Sequence, residues 1–361
     1  MTTHTNQPPA TSNAYATVLQ LAQKCIESFP VLILGSGASA PHGVRGMMAL
    51  KDHLLEVLTP LHQADESWPK FTAALDKTND LEAALQQVPL PDNIIANVTR
   101  ATRGCILEDD STVFERVALR QLDLPLTRLY QHLLRSTNNT LSVVTTNYDR
   151  LAEFAADSAK LAWYSGFSRG LLRFFGSRDI TRQPAPNETR TVNIWKVHGS
   201  VDWFMDADSI AVALPYGDEF PSALHPLLVT PGSLKYKATH QEPFRTIIAN
   251  ADAAIANARS YLCIGYGFND AHIQPKLVEK VRDQTAPIVI LTRTMRQPAK
   301  EFLAKCKKAP FLALEQAETA TRVYSSQSPN GYELPDTGIW QLDKFLDAVI
   351  GTSQEQRHGT L

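Results

Sequence analysis

Cysteine is scarce in this sequence, and the cysteines that are present form no metal or redox motif. The 361 residues include Cys25, Cys105, Cys263 and Cys306, with no CxxC pair among them. A zinc ribbon needs such pairs, and the spacing gives no support to a disulfide framework. We therefore predict no metal, and we expect the cysteines to be small core residues.

Long hydrophobic runs and an excess of one charge are also missing. No apolar run approaches the ~18 residues needed to span a bilayer, and residues 1–14 lack the charged-then-apolar order of a signal peptide. The formal net charge of −2 indicates no polyanion partner over the whole surface. With 43% hydrophobic and 20% charged residues, the chain is typical of a globular protein without membrane contact, and we expect it in the cytoplasm.

What the sequence does contain is an alternation of short apolar runs and helical patterns. Buried strands are predicted at residues 31–34, 141–146, 191–197, 261–265 and 288–291, and the last of these is expected to be the last parallel strand. Helical periodicity lies between them. This alternation predicts an α/β fold with a Rossmann-like parallel sheet and helices on both faces.

The stretch between the first two strands differs from the rest, because it has helical period and almost no strand pattern. We interpret it as a helical insertion subdomain. The predicted organisation is an N-terminal arm and helix (1–28), a Rossmann-like domain (29–64 and 135–306), the helical insertion (65–134) and a C-terminal segment with a terminal helix (307–361).

The first strand ends in a glycine-rich turn that fits the G-x-G-x-x-G/A form of a dinucleotide loop. Glycines allow a tight turn and let backbone N–H groups approach a pyrophosphate; a plain turn is the alternative. The acidic residue expected ~20 positions later falls near Glu56, in a predicted helix, which disfavours a simple NAD dehydrogenase. The candidate binding residues here are Gly35, Ser36, Gly37, Ala38 and Ser39.

The second strand is followed by Thr146, Asn147 and Asp149. Asp149 could simply cap the next helix. The neutral amide of Asn147 could orient a water molecule or ribose hydroxyls without adding charge. Asn147 and Asp149 are therefore candidate catalytic residues, with Thr146 in the binding site.

A third strand ends in His198-Gly199-Ser200. A single histidine is often structural. At the ligand-facing end of a strand, however, imidazole is a suitable general base near neutral pH. His198 is the third candidate catalytic residue.

Two later strand ends complete the predicted rim of the site. The turn after residue 264 has glycines and polar donors, and its alternative role is to cap the following helix through Asn269 or Asp270. The candidate binding residues at these two ends are Gly265, Tyr266, Asn269, Asp270, Thr292 and Arg293.

Taken in order, four of these elements resemble the sirtuin family. Residues 35–39 resemble its GAG-x-S loop, 146–149 its QN-x-D element, 198–200 its HG motif and 265–270 its late nucleotide turn. The resemblance covers about residues 31–293. It implies that NAD is a ligand and that a Rossmann-like domain holds it.

The departures from the sirtuin pattern narrow what the resemblance implies. No four-cysteine zinc module follows the HG motif, the GIPDFR continuation is replaced by residues 43–48, and Thr146 stands where the family has glutamine. What remains resembles bacterial sirtuin-like NAD hydrolases of anti-phage defence. That likeness implies NAD as substrate, a homo-oligomer, and a HerA-type hexameric ATPase as a partner.

The function predicted from this resemblance is hydrolysis of the nicotinamide–ribose bond of NAD to nicotinamide and ADP-ribose. Asn147 would orient the ribose or the attacking water, His198 would accept a proton, and Asp149 would hold the strand end or offset positive charge. Gly35, Gly37 and Ser39 would cradle the pyrophosphate, with Gly265, Asn269 and Asp270 near the adenosine.

Three other functions stay open at this point. One is NAD-dependent protein deacylation or ADP-ribosyl transfer, and another is a non-catalytic nucleotide-sensing scaffold. The third is nucleic-acid contact through an arginine- and phenylalanine-rich segment, since such residues can stack on bases; a solvated or interface loop is its alternative. The segment contains Arg169, Arg173, Arg178, Arg182, Arg190, Phe167, Phe174 and Phe175.

Overall fold

The centre of the molecule is a mixed sheet whose strands are joined by helices. The computed structural model describes residues 11–78, 81–135, 137–176, 190–215, 220–221, 223–229, 241–270, 272–283, 285–335 and 337–352. The strands are β1 Val31–Leu34, β2 Thr140–Thr145, β3 Ala162–Tyr164, β4 Arg173–Phe174, β5 Thr191–Lys196, β6 Gly199–Met205, β7 Ala211–Ala213, β8 His225–Leu228, β9 Tyr261–Ile264, β10 Ile288–Thr292, β11 Phe311–Ala317, β12 Ala320–Ser325 and β13 Tyr332–Leu334.

Helices connect most of these strands. They are α1 Thr11–Glu27, α2 Ser36–Ser39, α3 Met47–His62, α4 Ser67–Thr78, α5 Leu81–Gln87, α6 Asp92–Ala118, α7 Pro125–Leu133, α8 Leu151–Ser158, α9 Phe244–Asn257, α10 Ile273–Asp283, α11 Gln297–Lys305 and α12 Leu342–Ile350, with a 3₁₀ turn at Ala40–His42.

Within the described residues the large sheet has nine strands, in the order β13-β12-β11-β10-β9-β1-β2-β5-β3. The seven strands from β11 to β3 are parallel, whereas β12 and β13 are antiparallel to their neighbours. A second, antiparallel sheet has the order β4-β7-β6-β8. The predicted α/β class with a Rossmann-like parallel sheet is confirmed.

Both faces of the parallel sheet are covered, which explains why its strands are apolar throughout rather than alternating. In β1, Leu32 and Leu34 pack in one core with α1, α7 and α8. Val31 and Ile33 point the other way and pack with α9, α10 and α11. The expected helices on both faces are present.

One expectation about the sheet is wrong, because Ile288–Thr292 is not the last parallel strand. β11 pairs with β10 in parallel, from Ile288 opposite Phe311 to Thr292 opposite Glu315. Only the first half of β11 is a fully buried apolar run; its second half, from Glu315, is half-buried or exposed. A strand that turns polar halfway along gives a weak sequence pattern.

The helices between β1 and β2 have a core of their own, formed by α3, α4, α5 and the first part of α6. Trp68, Phe71 and Leu75 are almost completely buried in it. α6 then continues from this core into the main one, where Ile106, Leu107 and Val113 pack. The helical insertion is therefore joined to the sheet by one continuous helix, while the exact domain boundaries stay a prediction.

Some predicted features fall outside the described residues: the first ten residues of the N-terminal arm, residues 177–189 with Arg178 and Arg182, and the tail from residue 353. No helix in the described ranges is long and apolar enough to cross a membrane.

Candidate active site

The carboxyl ends of five adjacent strands define the candidate site. The strands are β10, β9, β1, β2 and β5, in that order across the sheet. β1 lies between β9 and β2, so the chain order changes direction on either side of it, and ligands of open α/β sheets bind at such points. The structure brings the loops that carry all the predicted site residues to this one edge.

Two glycine turns pack directly against each other at the centre of this edge. A Cβ atom on Gly265 would lie 2.2 Å from the backbone carbon of Gly37, and one on Gly35 would lie 2.5 Å from the carbonyl oxygen of Gly265. Gly37 also donates its N–H to Gly265 O at 3.1 Å. Close packing between the turns therefore requires these glycines, whether or not a pyrophosphate also approaches them.

Asn147 is held by the first of these turns. Its Nδ2 donates to Gly35 O and to Ser39 Oγ, both at 3.0 Å. Since a backbone carbonyl only accepts, the NH₂ group must face it, and this fixes the orientation of the amide. Both amide protons are used within the protein, so Asn147 offers its carbonyl oxygen to a ligand.

His198 lies beside Asp270 from the neighbouring part of the edge. The distance from His198 Nε2 to Asp270 Oδ2 is 2.8 Å, and both side chains are largely buried, with 12% and 5% exposed. The two atoms are within ion-pair distance, although the contact does not meet hydrogen-bond geometry. Asp270 is therefore the group that faces Nε2 of His198.

Asp270 caps the following helix, which is the alternative that the sequence offered for it. Its Oδ1 accepts the N–H groups of His272 at 2.9 Å and Ile273 at 2.8 Å, at the start of α10. The other carboxylate oxygen faces His198, and the nucleotide contact of Asp270 stays a prediction. A carboxylate at this position would stabilise a protonated imidazole.

Asp149 is buried below the rim and has a structural role. Its Oδ1 accepts the N–H of Leu151 at 3.2 Å, and its backbone oxygen accepts a bond from Lys196 Nζ. Lys196 is fully buried and lies 3.4 Å from Glu153 Oε1. Burial raises the pKa of Glu153 to about 7, although Lys196 lowers it.

Lys196 and Glu153 were not identified from the sequence. Both carried a signal: a lysine near the end of a buried strand, and a glutamate in the otherwise small and apolar stretch at the start of α8. Charged residues are almost never fully buried unless they are paired. The pair connects the strand of His198 to the loop of Asn147.

The other predicted binding residues occupy varied positions. Ser36, Gly37, Asn269 and Arg293 are exposed at the edge, while Ala38, Thr146 and Thr292 are half-buried. Tyr266 is 3% exposed and packs at 4.9 Å from Phe268, so only its backbone faces the turn.

Three residues of the arginine- and phenylalanine-rich segment, Arg173, Phe167 and Phe175, have internal contacts, whereas Arg169, Phe174 and Arg190 are exposed. Arg173 pairs with Asp202 and lies over the ring of Trp163. Phe167 packs against Phe175 and Trp203. These contacts favour a structural role for this part of the segment over stacking on bases.

The cysteines are free and buried, as expected. Burial raises the pKa of Cys25 and Cys306 to about 12, which keeps the thiols neutral. Within the described ranges no group of three or more His, Cys, Asp or Glu side chains is placed to hold a metal ion.

The fold and the edge define an α/β protein of Rossmann-like type with an asparagine and a histidine at its switch point. Residues 141–311, just under half of the chain, match the family described as the SIR2-like domain. The match includes Asn147, His198 and Asp270, whereas the glycine turn after β1 precedes it. This part of the chain is thus similar to the SIR2-like domain.

Several solved structures of Sir2 proteins match this chain over most of its length. A complex of a mutant Sir2 homologue with 2'-O-acetyl ADP ribose is 15% identical, with 81% of this chain and 94% of that chain covered and a TM-score of 0.41. A Sir2 homologue–NAD complex is also 15% identical, with 80% and 92% covered and a TM-score of 0.41. At such low TM-scores nothing about the site follows from them. No curated protein sequence matches the chain.

Proposed function

We propose that this chain is an NAD hydrolase that cleaves the nicotinamide–ribose bond and releases nicotinamide and ADP-ribose. The observation that carries the proposal is that two side chains with complementary chemistry lie at the switch point. An asparagine carbonyl oxygen and a buried imidazole paired with a carboxylate lie at the ends of adjacent strands, β2 and β5. The match of residues 141–311 to the SIR2-like domain supports NAD as the ligand.

Cleavage of this bond requires little acid–base catalysis from the protein. The bond between nicotinamide nitrogen and ribose C1' breaks with its electron pair going to nicotinamide, which leaves as a neutral molecule. A water oxygen then bonds to C1', and its proton must be removed. The barrier lies in the oxocarbenium-like ribose and in the placement of the water.

Each of the two central side chains suits one of these tasks. The Asn147 carbonyl oxygen accepts a hydrogen bond from the water or from a ribose hydroxyl and so orients it. His198 takes the proton, and the Asp270 carboxylate at 2.8 Å stabilises the resulting charge. Asp149 acts less directly, by holding the turn between Asn147 and α8.

The family likeness also supports a wider proposal. Bacterial sirtuin-like NAD hydrolases of anti-phage defence share the TTNYD- and HGS-type motifs of residues 145–149 and 198–200. By that likeness, the chain is a cytoplasmic, homo-oligomeric effector that depletes NAD together with a HerA-type ATPase. Co-expression with such an ATPase, followed by co-purification and sizing, tests the partner and the oligomer.

The activity itself is tested by incubating the purified protein with NAD, with and without that ATPase, and separating the products. We expect nicotinamide and ADP-ribose in equal amounts. Asn147→Ala and His198→Ala should each lower turnover at least about 100-fold while the fold is kept, as measured by circular dichroism.

Controls separate this proposal from its alternatives. Adding an acylated peptide and a protein acceptor distinguishes hydrolysis from deacylation and ADP-ribosyl transfer, since transfer would reduce free ADP-ribose. Arg293→Gln, on the exposed rim, serves to separate binding from chemistry, because it should change KM more than kcat. Full turnover by folded Asn147→Ala or His198→Ala protein would refute the assignment.

A further inference from the structure

The long helix α6 contacts the chain segments that follow three of the five strands at the candidate site, β1, β2 and β5. It begins in the core of the helical insertion, where Ile94 and Val98 are buried, and it ends beside the sheet. Its side chains Arg103, Asp109 and Asp110 each reach a different one of these segments. None of these residues was identified from the sequence.

The contact with the β2 loop is the strongest. Asp110 is fully buried, and its Oδ1 accepts the backbone N–H of Arg150 at 2.6 Å. Its Oδ2 accepts Nε and NH2 of the same arginine at 3.0 and 2.6 Å. Asp110 thus fixes both the backbone and the guanidinium of Arg150, which lies three positions after Asn147. A buried ion pair of this kind tolerates little displacement.

The contact with the β1 loop has the same form. Asp109 accepts the backbone N–H of Arg45 at 2.8 Å and its Nε at 2.9 Å. Arg45 NH2 also donates to Cys105 O at 2.9 Å, one turn earlier in α6. This loop continues from the turn whose Gly35 and Ser39 hold the amide of Asn147.

The third contact reaches β6, the strand that begins directly after His198. Arg103 Nε donates to Val201 O at 2.8 Å, and its guanidinium lies over the rings of Phe204 and Phe220 at 4.9 and 4.7 Å. Val201 in turn donates its N–H to Tyr148 O at 3.0 Å. The β2 loop and β6 are therefore joined to each other as well as to α6.

We propose that α6 is the positioning element of the active site, with Asp110 as its main positioning residue acting on Asn147 through Arg150. The geometry of the catalytic pair then depends on where the helical insertion holds α6. A displacement of about 1 Å in a positioning group can lower a rate about 100-fold. The kinetic part of this inference rests on the proposed NAD hydrolysis.

The test is Asp110→Asn in the full-length chain, with Glu115→Gln as the matched control. Glu115 is an exposed acid on the same helix, so the same change from acid to amide there should leave turnover within about twofold of wild type. For Asp110→Asn we expect kcat to fall about 100-fold with KM nearly unchanged. Hydrogen exchange at the amides of 146–151 should increase, while the helices of the insertion keep their protection.

A second variant covers the case in which Asp110→Asn does not fold. Arg150→Lys keeps the charge but loses the two guanidinium hydrogen bonds to Asp110. We expect kcat to fall about tenfold. A folded Asp110→Asn protein with wild-type kcat and unchanged exchange at 146–151 would overturn the inference. A fall in melting temperature alone, with kcat per folded molecule unchanged, would also overturn it.

The exchange measurement keeps the two proposals separate. If the wild-type protein does not cleave NAD, the proposed function fails, and exchange at 146–151 alone decides whether Asp110 positions this loop. If NAD is cleaved and exchange is unchanged in Asp110→Asn, the positioning role fails and the proposed function stands.

Discussion

The two ends of the parallel sheet differ in what they offer to a ligand. At the amino ends, next to Val31 and Thr140, a cavity of about 410 Å³ opens between the sheet and α9. Among the described residues that line it, Arg259 is the only charged one, and no His, Asp, Glu or Cys is present. At the carboxyl ends, Asn147 is bonded to the turn after β1, His198 lies beside Asp270, and the buried pair of Lys196 and Glu153 lies below this edge.

The cavity lies at the amino ends of the strands, whereas the side chains suited to proton transfer lie at the carboxyl ends. A large concave space is the usual first indication of a ligand site. Proton transfer, however, needs a titratable group within reach of the substrate, and only the carboxyl end provides one. If the ligand binds at the carboxyl end, substitutions there should change stability or turnover strongly, whereas substitutions at the amino end should change them little.

The largest effect is expected for Gly265→Ala, at the contact between the two glycine turns. Gly265 has φ +57°, and the new Cβ would lie 2.2 Å from the backbone of Gly37. Backbone strain and overpacking together should lower the free energy of unfolding by about 5 kcal/mol. Thermal or urea unfolding measures this directly.

Gly46→Ala is the control for that substitution. Gly46 starts α3 on the same side of the sheet, but it has an ordinary φ and nothing lies within 4 Å of a Cβ there. We expect a change below about 1 kcal/mol. Equal losses for the two variants would show that the turns are not closely fitted.

A smaller effect is expected for Lys196→Met, in the buried charges below the site. Removing one partner of a buried pair costs about 3–5 kcal/mol, but Glu153 can take up a proton, so the loss should be near the lower figure. The pKa of Glu153 is raised from 4.5 to about 7 in the folded state. The folded protein therefore binds more protons than the unfolded chain in this window, and stability falls as pH rises through it.

Without Lys196 the pKa of Glu153 should rise further, because the charge that lowers it is gone. Lys196→Met should therefore lose more stability relative to wild type at pH 8 than at pH 6, as measured by urea unfolding. Relative to Glu153→Gln alone, the double variant with Lys196→Met should lose the same stability at both pH values. An identical loss at both pH values in the single variant would contradict the role given to this pair.

The smallest effect is expected at the amino end. Ala254 lines the cavity from α9, and Ala254→Leu would fill part of it with a residue that suits a helix. NAD turnover should stay within about twofold and stability within about 1 kcal/mol of wild type. A large fall in turnover would move the ligand site to this end.

Much of the fold could be predicted because the sheet is buried on both faces. Runs such as residues 31–34 and 261–264 are apolar and end at glycine, which is sufficient to place a strand and its turn. The apolar runs at 141–146 and 191–197 likewise located the loops of Asn147 and His198. β11 was missed because its outer half is polar.

The contacts within the site could not be predicted, because they join residues far apart in the chain. The pattern near Asp270 indicated a helix cap, which is correct, but local sequence contains nothing about His198 beside its second oxygen. The partnership of Asp110 with Arg150 is of the same kind. Such pairs depend on the angle between α6 and the sheet, which periodicity does not encode.

The contact between Gly265 and Gly37 also has a consequence for the making of the protein. The first turn and Asn147 leave the ribosome long before β9, and His198 meets Asp270 only after the β9 turn is complete. A nascent chain that stops before residue 270 lacks both the second turn and the carboxylate next to the imidazole. The complete candidate site is therefore absent from every nascent chain that ends before residue 270.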